Sequence, residues 1–164
     1  MNVRNQPTVI IPFILKKIGS QVLADRMNDL LSDFNVFNQN VKGFHWNFIG
    51  PDFFDLHEKF EDLSGKLSQD ISKLANSIRM TGYEPLHSYS DYLKNSIHKE
   101  ITGVNSDEES ILCVIEGLTS LILSCRMSAI EAEEADEMFT EKMLRQFAFE
   151  LENELWVFTM FAKY

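Results

Sequence analysis

The sequence predicts an all-α protein built as a bundle of four long helices, and two observations carry this prediction. Apolar residues recur at spacings of three and four over four stretches, each of roughly 25–30 residues, as on the buried face of an amphipathic helix. The 164 residues also include only 7 glycines and 4 prolines. So few turn-forming residues leave little room for the many loops of a β-sandwich or barrel.

The first long helix is expected to run from about Ser20, a residue suited to the N-cap, to Asn47. Gly50 and Pro51 follow and stop it. Its apolar stripe comprises Val22, Leu23, Met27, Leu30, Leu31, Phe34, Phe37, Val41 and Phe44.

The second long helix is expected to start near Pro51 and Asp52 and to end near Gly82, a candidate for the C-cap. Its stripe is nearly unbroken and comprises Leu56, Phe60, Leu63, Leu67, Ile71, Leu74 and Ile78. A long connection over residues 83–105 follows, and residues 88–94 are predicted to form a short helix within it.

The third helix is expected to begin at residues 106–109, where a serine precedes three acids, and to reach about Glu134. Its stripe comprises Ile111, Leu112, Ile115, Leu118, Leu121, Ile122, Met127 and Ile130. The fourth helix is expected from about Asp136 to Phe161. Its stripe comprises Phe139, Met143, Leu144, Phe147, Leu151, Leu155 and Phe158.

These elements predict a single domain over residues 1–164. Residues 1–18 form an N-terminal extension, because Pro7 and Pro12 break any early helix. Four long helices with one long connection between the second and third match the ferritin-like four-helix-bundle topology. The predicted short helix lies in that connection.

The net charge of −10 disfavours binding of the folded body to nucleic acid, although the same acidity could serve solubility alone. Basic residues near the two ends are few: Arg4, Lys16, Lys17 and Lys163. This is not a lysine-rich tail, so DNA binding is not expected.

Two cysteines, Cys113 and Cys125, lie about 18 Å apart on one predicted helix, too far for a mutual disulfide. Free thiols are consistent with a reducing cytoplasm. The apolar run of residues 8–15 is interrupted by Pro12 and is too short to span a membrane, so we expect no membrane association.

Metal-binding side chains flank the turn between the first two helices. His45 lies near the end of the first helix, and His57 lies one turn into the second. Glu61 follows four residues later on the same helix face. This pattern could supply half of an iron or zinc site. Each histidine could instead be a polar residue at a helix end or a subunit contact.

Residues 45–63, His-Trp-Asn-Phe-Ile-Gly-Pro-Asp-Phe-Phe-Asp-Leu-His-Glu-Lys-Phe-Glu-Asp-Leu, resemble the signature of the Dps family of ferritin-like proteins. Residues 85–93 resemble the short helix that these proteins carry in the middle connection. Gly82, Trp156 and the helix lengths agree, so the resemblance covers about residues 20–162.

The resemblance implies a spherical dodecamer that oxidises ferrous iron, usually with peroxide, and stores the mineral inside. It also implies a ferroxidase site between two subunits, with His45, His57 and Glu61 from one of them. The partner's aspartate and glutamate fall at Ser72 and Asn76 in this chain. Iron prefers carboxylate oxygens beside imidazole, so we expect weak or lost ferroxidase activity.

The resemblance further implies that the junction of the last two helices lines an acidic pore for entering iron. The candidate pore residues are Glu134, Asp136, Glu137 and Glu141. Such a cluster focuses cations, although a solvated helix end would have the same composition.

Two further patterns have simpler explanations. Glu84 and His87 have the Glu-x-x-His spacing of di-iron bundles, but Pro85 and the loop context argue against a metal site there. The other pattern is an aromatic series that is most simply core and dimer interface: Phe34, Phe37, Phe44, Trp46, Phe53, Phe54 and Phe60.

Three functions are therefore open. The first is a Dps-like iron-storage cage with a degenerate ferroxidase site, which could hold zinc instead of iron. The second is a non-enzymatic cage subunit that assembles alone or with an intact paralogue. The third is a helical-bundle interaction protein with no metal role.

Overall fold

The structure is a computed structural model that describes residues 21–104 and 106–162, and this part of the chain contains five helices and no strand. They are α1 (Gln21–Asn47), α2 (Phe53–Met80), α3 (Tyr89–Asn95), α4 (Asp107–Glu134) and α5 (Met138–Phe161). The predicted all-α class and the short helix between the second and third long helices are confirmed. The N-terminal extension, the Ser20 cap and Lys163 lie outside the described residues.

The long helices form two packed pairs, α1 with α2 and α4 with α5, and the pairs meet where α1 contacts α4 and α2 contacts α5. Aromatic rings fill the middle: Phe34 of α1 lies 5.9 Å from Phe147 of α5, and Phe60 of α2 lies 5.8 Å from Phe158. These rings are buried, as the periodicity predicted. The core therefore spans all four long helices.

Some predicted stripe residues are exposed on the protomer, and placing them in the core is wrong. Helical periodicity includes every apolar residue near the stripe and cannot tell an inner face from an outer one. The exposed members of the stripes are Val22, Leu112, Met127, Ile130 and Phe139.

One close approach in the core depends on a glycine. Gly117 of α4 faces the ring of Phe37 on α1, and a Cβ atom at Gly117 would lie only 2.1 Å from Phe37 Cε2. No real Cβ contact is that short, so a larger residue must displace the buried ring. Gly117 therefore sets how closely α4 packs on α1.

The connection between α2 and α4 is held to α1 by three polar side chains that we call the α1 anchors: Asn28, Asp33 and Asn40. Asn28 donates to the Glu84 carbonyl (3.1 Å) and accepts from the Leu86 amide (2.8 Å). Asn40 donates to the Lys99 carbonyl (2.8 Å) and accepts from the Ile101 amide (3.0 Å). These bonds satisfy backbone groups that have no helix of their own.

The middle anchor is a buried carboxylate. Asp33 Oδ1 accepts from Ser96 Oγ (2.9 Å) and from the Ile97 amide (2.8 Å). Burial nevertheless raises the pKa of Asp33, because loss of water outweighs these two hydrogen bonds. Asp33 therefore holds the connection on α1, although burial makes its charged form less favourable.

A tight turn joins α4 to α5. Asp136 has φ of 57°, in the left-handed region, and its amide donates to the Glu133 carbonyl (3.0 Å). The Glu137 amide donates to the Ala132 carbonyl (2.9 Å). This pair of bonds is the Schellman pattern of helix ends, in which glycine is the usual left-handed residue.

Both cysteines are free thiols in the structure, as predicted. Cys125 is buried and Cys113 is half-buried. Burial raises the pKa of both thiols, which disfavours the reactive thiolate. Neither is suited to redox chemistry.

Candidate metal centre

The turn between α1 and α2 brings the two predicted histidines into contact. His45, in the last turn of α1, stacks on His57, in the first turns of α2, with ring centroids 3.9 Å apart and planes 28° apart. The ring of Phe53 also stacks on His57, with ring centroids 5.0 Å apart. The aromatic contacts fix both imidazole planes.

Each imidazole is also held by the backbone of the other histidine. His45 Nδ1 lies 3.1 Å from the His57 carbonyl oxygen, and His57 Nδ1 lies 3.1 Å from the His45 carbonyl oxygen. A carbonyl only accepts, so each Nδ1 donates, and the neutral tautomer that fits this arrangement has its lone pair on Nε2. We call this reciprocal pair the histidine clasp. Backbone support of this kind is typical of histidines that bind metals.

The third predicted ligand does not join the clasp in a single protomer. Glu61 is exposed one turn further along α2. Across residues 21–104 and 106–162, no three His, Cys, Asp or Glu side chains come close enough together to hold a metal ion. Among its described residues, one protomer therefore offers two imidazole nitrogens and no third metal-binding side chain beside them.

The two positions that the resemblance assigns to the partner's acids lie far from the clasp. Ser72 and Asn76 follow His57 on α2 by roughly 22 and 28 Å of helix rise. Both are exposed, and Ser72 Oγ donates to the Ser68 carbonyl of its own helix (3.1 Å). Only a second copy could bring these side chains to the histidines.

Asp70, the acid two residues before Ser72 on α2, already has a hydrogen-bond partner. Asp70 is buried and accepts from Lys73 Nζ at 2.9 Å, and that ammonium group also lies 5.6 Å from the ring centroid of Phe147. Burial raises the pKa of Asp70, and the lysine opposes that change. Asp70 is therefore part of the packing of α2.

Arginines partly neutralise the candidate pore residues. Arg145 donates to Glu141 (2.8 Å) and to Glu133 (2.9 Å), so two carboxylates of the acidic junction share one guanidinium. The predicted pore residues Glu134 and Asp136 lie at the α4–α5 turn beside them, followed by Glu137 at the N-cap of α5.

A second arginine pairs with an acid near the same junction. Arg26 of α1 forms an ion pair with Glu131 of α4 at 3.1 Å. Sequence reasoning missed both arginines, although Arg145 lies four residues after Glu141, the spacing of a helical ion pair.

The Glu-x-x-His pattern of the connection is not a buried site. Glu84 and His87 are both exposed, and their nearest charged atoms are 4.0 Å apart.

The aromatic series divides into a buried and an exposed part. Phe34, Phe37, Phe44 and Phe60 belong to the core. Beside the clasp, Trp46 is 65% exposed and Phe54 is 85% exposed, while Phe53 is exposed to a smaller extent. A groove of about 570 Å³ runs from Trp46 between α1, α3 and residues 100–104. Large exposed aromatic rings at a groove are typical of interaction surfaces.

The chain matches the family described as Ferritin-like domain over residues 24–163. It is 32% identical to the DNA protection during starvation protein of Brevibacillus brevis, over 91% of this chain and all of that one. It is 36% identical to an uncharacterised protein of Haemophilus influenzae, over 88% of this chain and 90% of that one.

Solved structures agree with the sequence relatives. The Dps protein of Vibrio cholerae O1, described as a member of a broad superfamily of ferritin-like diiron-carboxylate proteins, superposes with a TM-score of 0.83. The two chains are 33% identical, over 85% of this chain and 88% of that one. The Dps protein of Bacillus brevis also gives a TM-score of 0.83, at 32% identity over 86% and 95% of the two chains.

Proposed function

Because this chain belongs to the Dps family of ferritin-like proteins, we propose that it is an iron-binding and iron-storing cage subunit of the oxidative-stress response, with a degenerate ferroxidase site. The observation that carries the proposal is the histidine clasp. It supports two Nε2 donors, from His45 and His57, on the protomer that would supply the histidine half of the site. Iron is the substrate and cargo of such a cage.

The donor set explains why oxidation would be weak. In the assembled site the clasp and Glu61 would face Ser72 and Asn76 of a second copy, which are neutral oxygen and amide donors. Fe³⁺ is a hard, highly charged ion, and carboxylates stabilise it far better than hydroxyl or amide groups do. Two missing negative charges would disfavour the oxidised product more than the ferrous substrate.

Restoring the acids tests this explanation directly. The double variant Ser72→Asp with Asn76→Glu should oxidise ferrous iron much faster than the parent, as measured by oxygen or peroxide consumption. The matched control is Ser68→Asp with Gln69→Glu, which adds the same charge to α2 at other positions and should leave the rate unchanged. A parent rate equal to that of the restored variant would contradict the proposal.

Zinc is the alternative ion for the unrestored site. Two neutral imidazoles and one carboxylate, with water as the fourth ligand, suit Zn²⁺ better than Fe³⁺. Calorimetric titration with Zn²⁺ and with Fe²⁺ distinguishes the two ions, and His57→Ala should abolish whichever binding is seen. Unchanged binding in that variant would rule out this site.

The second candidate function is a non-enzymatic cage subunit, favoured by the neutrality of Ser72 and Asn76. Such a subunit would assemble alone or with an intact paralogue whose acids face this histidine clasp. A homododecamer would have a mass of about 12 times 19.0 kDa in light scattering. Cage assembly without any iron uptake would favour this function, and a small oligomer without a cavity would favour a plain interaction protein.

The acidic junction is proposed as the pore through which iron enters, with Glu134, Asp136, Glu137 and Glu141 as its lining. Because Arg145 pairs with Glu141, the proposed pore has a weaker negative potential than its acids alone would give. Replacing Arg145 with glutamine should therefore speed iron entry into the cage, and slower entry would argue against a pore here.

Stress protection would not require DNA binding by this chain. Its net charge of −10 opposes contact with phosphates, and we propose a cytoplasmic protein that acts on iron. A gel shift at low salt should show free DNA, whereas a salt-sensitive complex would show that the relatives' DNA-protection role extends to this chain by direct binding.

A further inference from the structure

The connection between α2 and α4 contains a half-buried imidazole that the proposed function does not use. His98 packs against Phe37 of α1, with ring centroids 5.5 Å apart. Its Nε2 atom is buried and has no hydrogen-bond partner within the described part of the chain. Buried polar atoms are nearly always paired, so this orphan needs a reason.

His98 lies between two of the α1 anchors. On one side Asp33 binds Ser96 Oγ and the Ile97 amide. On the other side Asn40 binds the backbone at residues 99 and 101. The ring thus contacts α1 in the middle of the segment of residues 96–101. Any change in its charge acts on that segment first.

The surroundings of His98 favour the neutral ring. Burial lowers the pKa of His98, because an imidazolium there would lose its water and gain no partner. Lys99 and Glu100 follow the ring in the chain, and Asp33 of α1 binds the same segment. On α4, which reaches Phe37 through Gly117, Cys113 and Glu116 are the titratable residues within about one turn of that glycine. Asp33 Oδ1 is already occupied by Ser96 and Ile97, and Lys99, Glu100 and Glu116 are exposed.

We propose that His98 makes residues 96–101 an acid-released latch, in which the neutral imidazole holds the segment on α1 and protonation expels it. The direction of the pH dependence follows from the imidazole pKa in the released segment and in the seated segment. A released imidazole titrates near its ordinary value of 6.5, and the seated one titrates lower. Seating is therefore fully favourable above pH 6.5 and weakens as the pH falls from there toward the pKa of the seated ring.

The latch reaches the surface beside the candidate metal centre. Residues 100–104 form one wall of the groove that Trp46 also lines. Release would widen this groove without unfolding the four long helices, because the core contacts of α1 with α2 and α4 do not pass through the segment. Acid would thus change one surface and leave the bundle intact.

Hydrogen exchange measured by mass spectrometry on the full assembled chain tests the latch. After correction for the intrinsic pH dependence, the amides of Ile97 and Ile101 should exchange severalfold faster at pH 5.5 than at pH 7.5. Peptides from α2 and α5 should not change. In His98→Phe, which keeps a ring on Phe37 without a titratable atom, the difference between the two pH values should disappear.

Two controls identify the group that titrates. His87→Gln removes an exposed histidine from the same connection and should behave as the parent does. Asp33→Asn keeps an oxygen acceptor for Ser96 and Ile97 and should retain acid release. If release persists in His98→Phe and is lost in Asp33→Asn, the carboxylate is the trigger and the proposal is wrong.

A measurement on the unmodified protein guards against a variant that fails to fold. Exchange of the imidazole C2–H, followed by mass spectrometry, gives the pKa of each histidine. We expect a value below 6.5 for His98 and slow exchange relative to His87. A value at or above 6.5 would overturn the latch regardless of how the variants behave.

Discussion

A buried hydroxyl without a partner costs stability, and Ser128 on α4 has such a group. The residue is fully buried and its Oγ forms no hydrogen bond within residues 21–104 and 106–162. Ser110, on the same helix and equally buried, instead donates to the Ser106 carbonyl at 2.6 Å. The two serines are equally buried, and only the hydroxyl of Ser110 has a hydrogen-bond partner among the described residues.

We therefore predict opposite effects of alanine at these two positions. Ser128→Ala should raise the free energy of unfolding by about 1 kcal/mol, because it removes an unpaid desolvation cost. Ser110→Ala should lower it by about 1 kcal/mol, because it removes a bond. Thermal or denaturant unfolding measures both, and a loss of stability in Ser128→Ala would point to an unrecognised partner.

A similar contrast exists between two helical glycines. Gly117→Ala should lower the free energy of unfolding by about 1–3 kcal/mol, because the new methyl group must displace the ring of Phe37. Gly65→Ala on α2 has open space around it and should raise stability by about 0.5–1 kcal/mol through helix propensity. Equal unfolding midpoints for the two variants would contradict the packing of α4 on α1.

Residue chemistry was predictable from sequence only where it is local. The spacing from His45 to His57 indicated that the two rings flank one turn. It could not indicate that each Nδ1 would use the other's carbonyl, since that depends on how the two helix ends meet. The α1 anchors Asn28, Asp33 and Asn40 were missed for the same reason: a polar residue in an amphipathic helix is usually assigned to the solvent face.

At the scale of elements, apolar periodicity predicts where the helices lie, and capping residues explain where they begin and end. Ser88 was inside the predicted short helix and is its N-cap, accepting from the Asp91 amide at 3.2 Å. The predicted start at residues 106–109 agrees with α4, which begins at Asp107. The α4–α5 turn was located correctly by its acids, but the left-handed conformation of Asp136 had no signal, because glycine is the usual marker.

That turn yields a prediction with a clear order. Asp136→Gly should raise the free energy of unfolding by about 0.5–1 kcal/mol, since glycine has no Cβ to strain at a φ of 57°. Asp136→Ala should lower it, because alanine tolerates this region less well than aspartate. Denaturant unfolding should rank glycine first, aspartate second and alanine third. Any other order would contradict the Schellman geometry.

At the scale of the whole molecule, the outer face of α4 is unusual. By length and composition α4 is apolar enough to cross a membrane, a test that the core helix of a soluble protein also passes. Its inner residues pack in the bundle, whereas Leu123, Met127 and Ile130 are exposed on the other side. A helix that is apolar on both faces is normally buried on both. We therefore expect a second copy to cover this face.

Charge on that face should weaken assembly. Leu123→Glu combined with Met127→Glu places two carboxylates in the expected contact and should reduce the mass measured by light scattering, while circular dichroism shows an unchanged helix content. Glu108→Gln, at an exposed position in the first turn of α4 and about 22 Å of helix rise from Leu123, is the control and should assemble normally. A doubly charged variant of unchanged mass would exclude the face from the interface.

The α1 anchors bear on how the chain can change length during evolution. They fasten the middle connection at residues 84–86, 96–97 and 99–101 and leave residues 87–95 between fastenings. Most of that stretch is α3, which packs on α1, so only residues 87 and 88 before it are loop. Residues inserted there lengthen a loop, whose entropic cost grows only slowly with size. One added residue between 97 and 99 would instead pull two fastenings out of register. Insertions and foreign peptides grafted into this protein should therefore be tolerated just before α3 and rejected just after it.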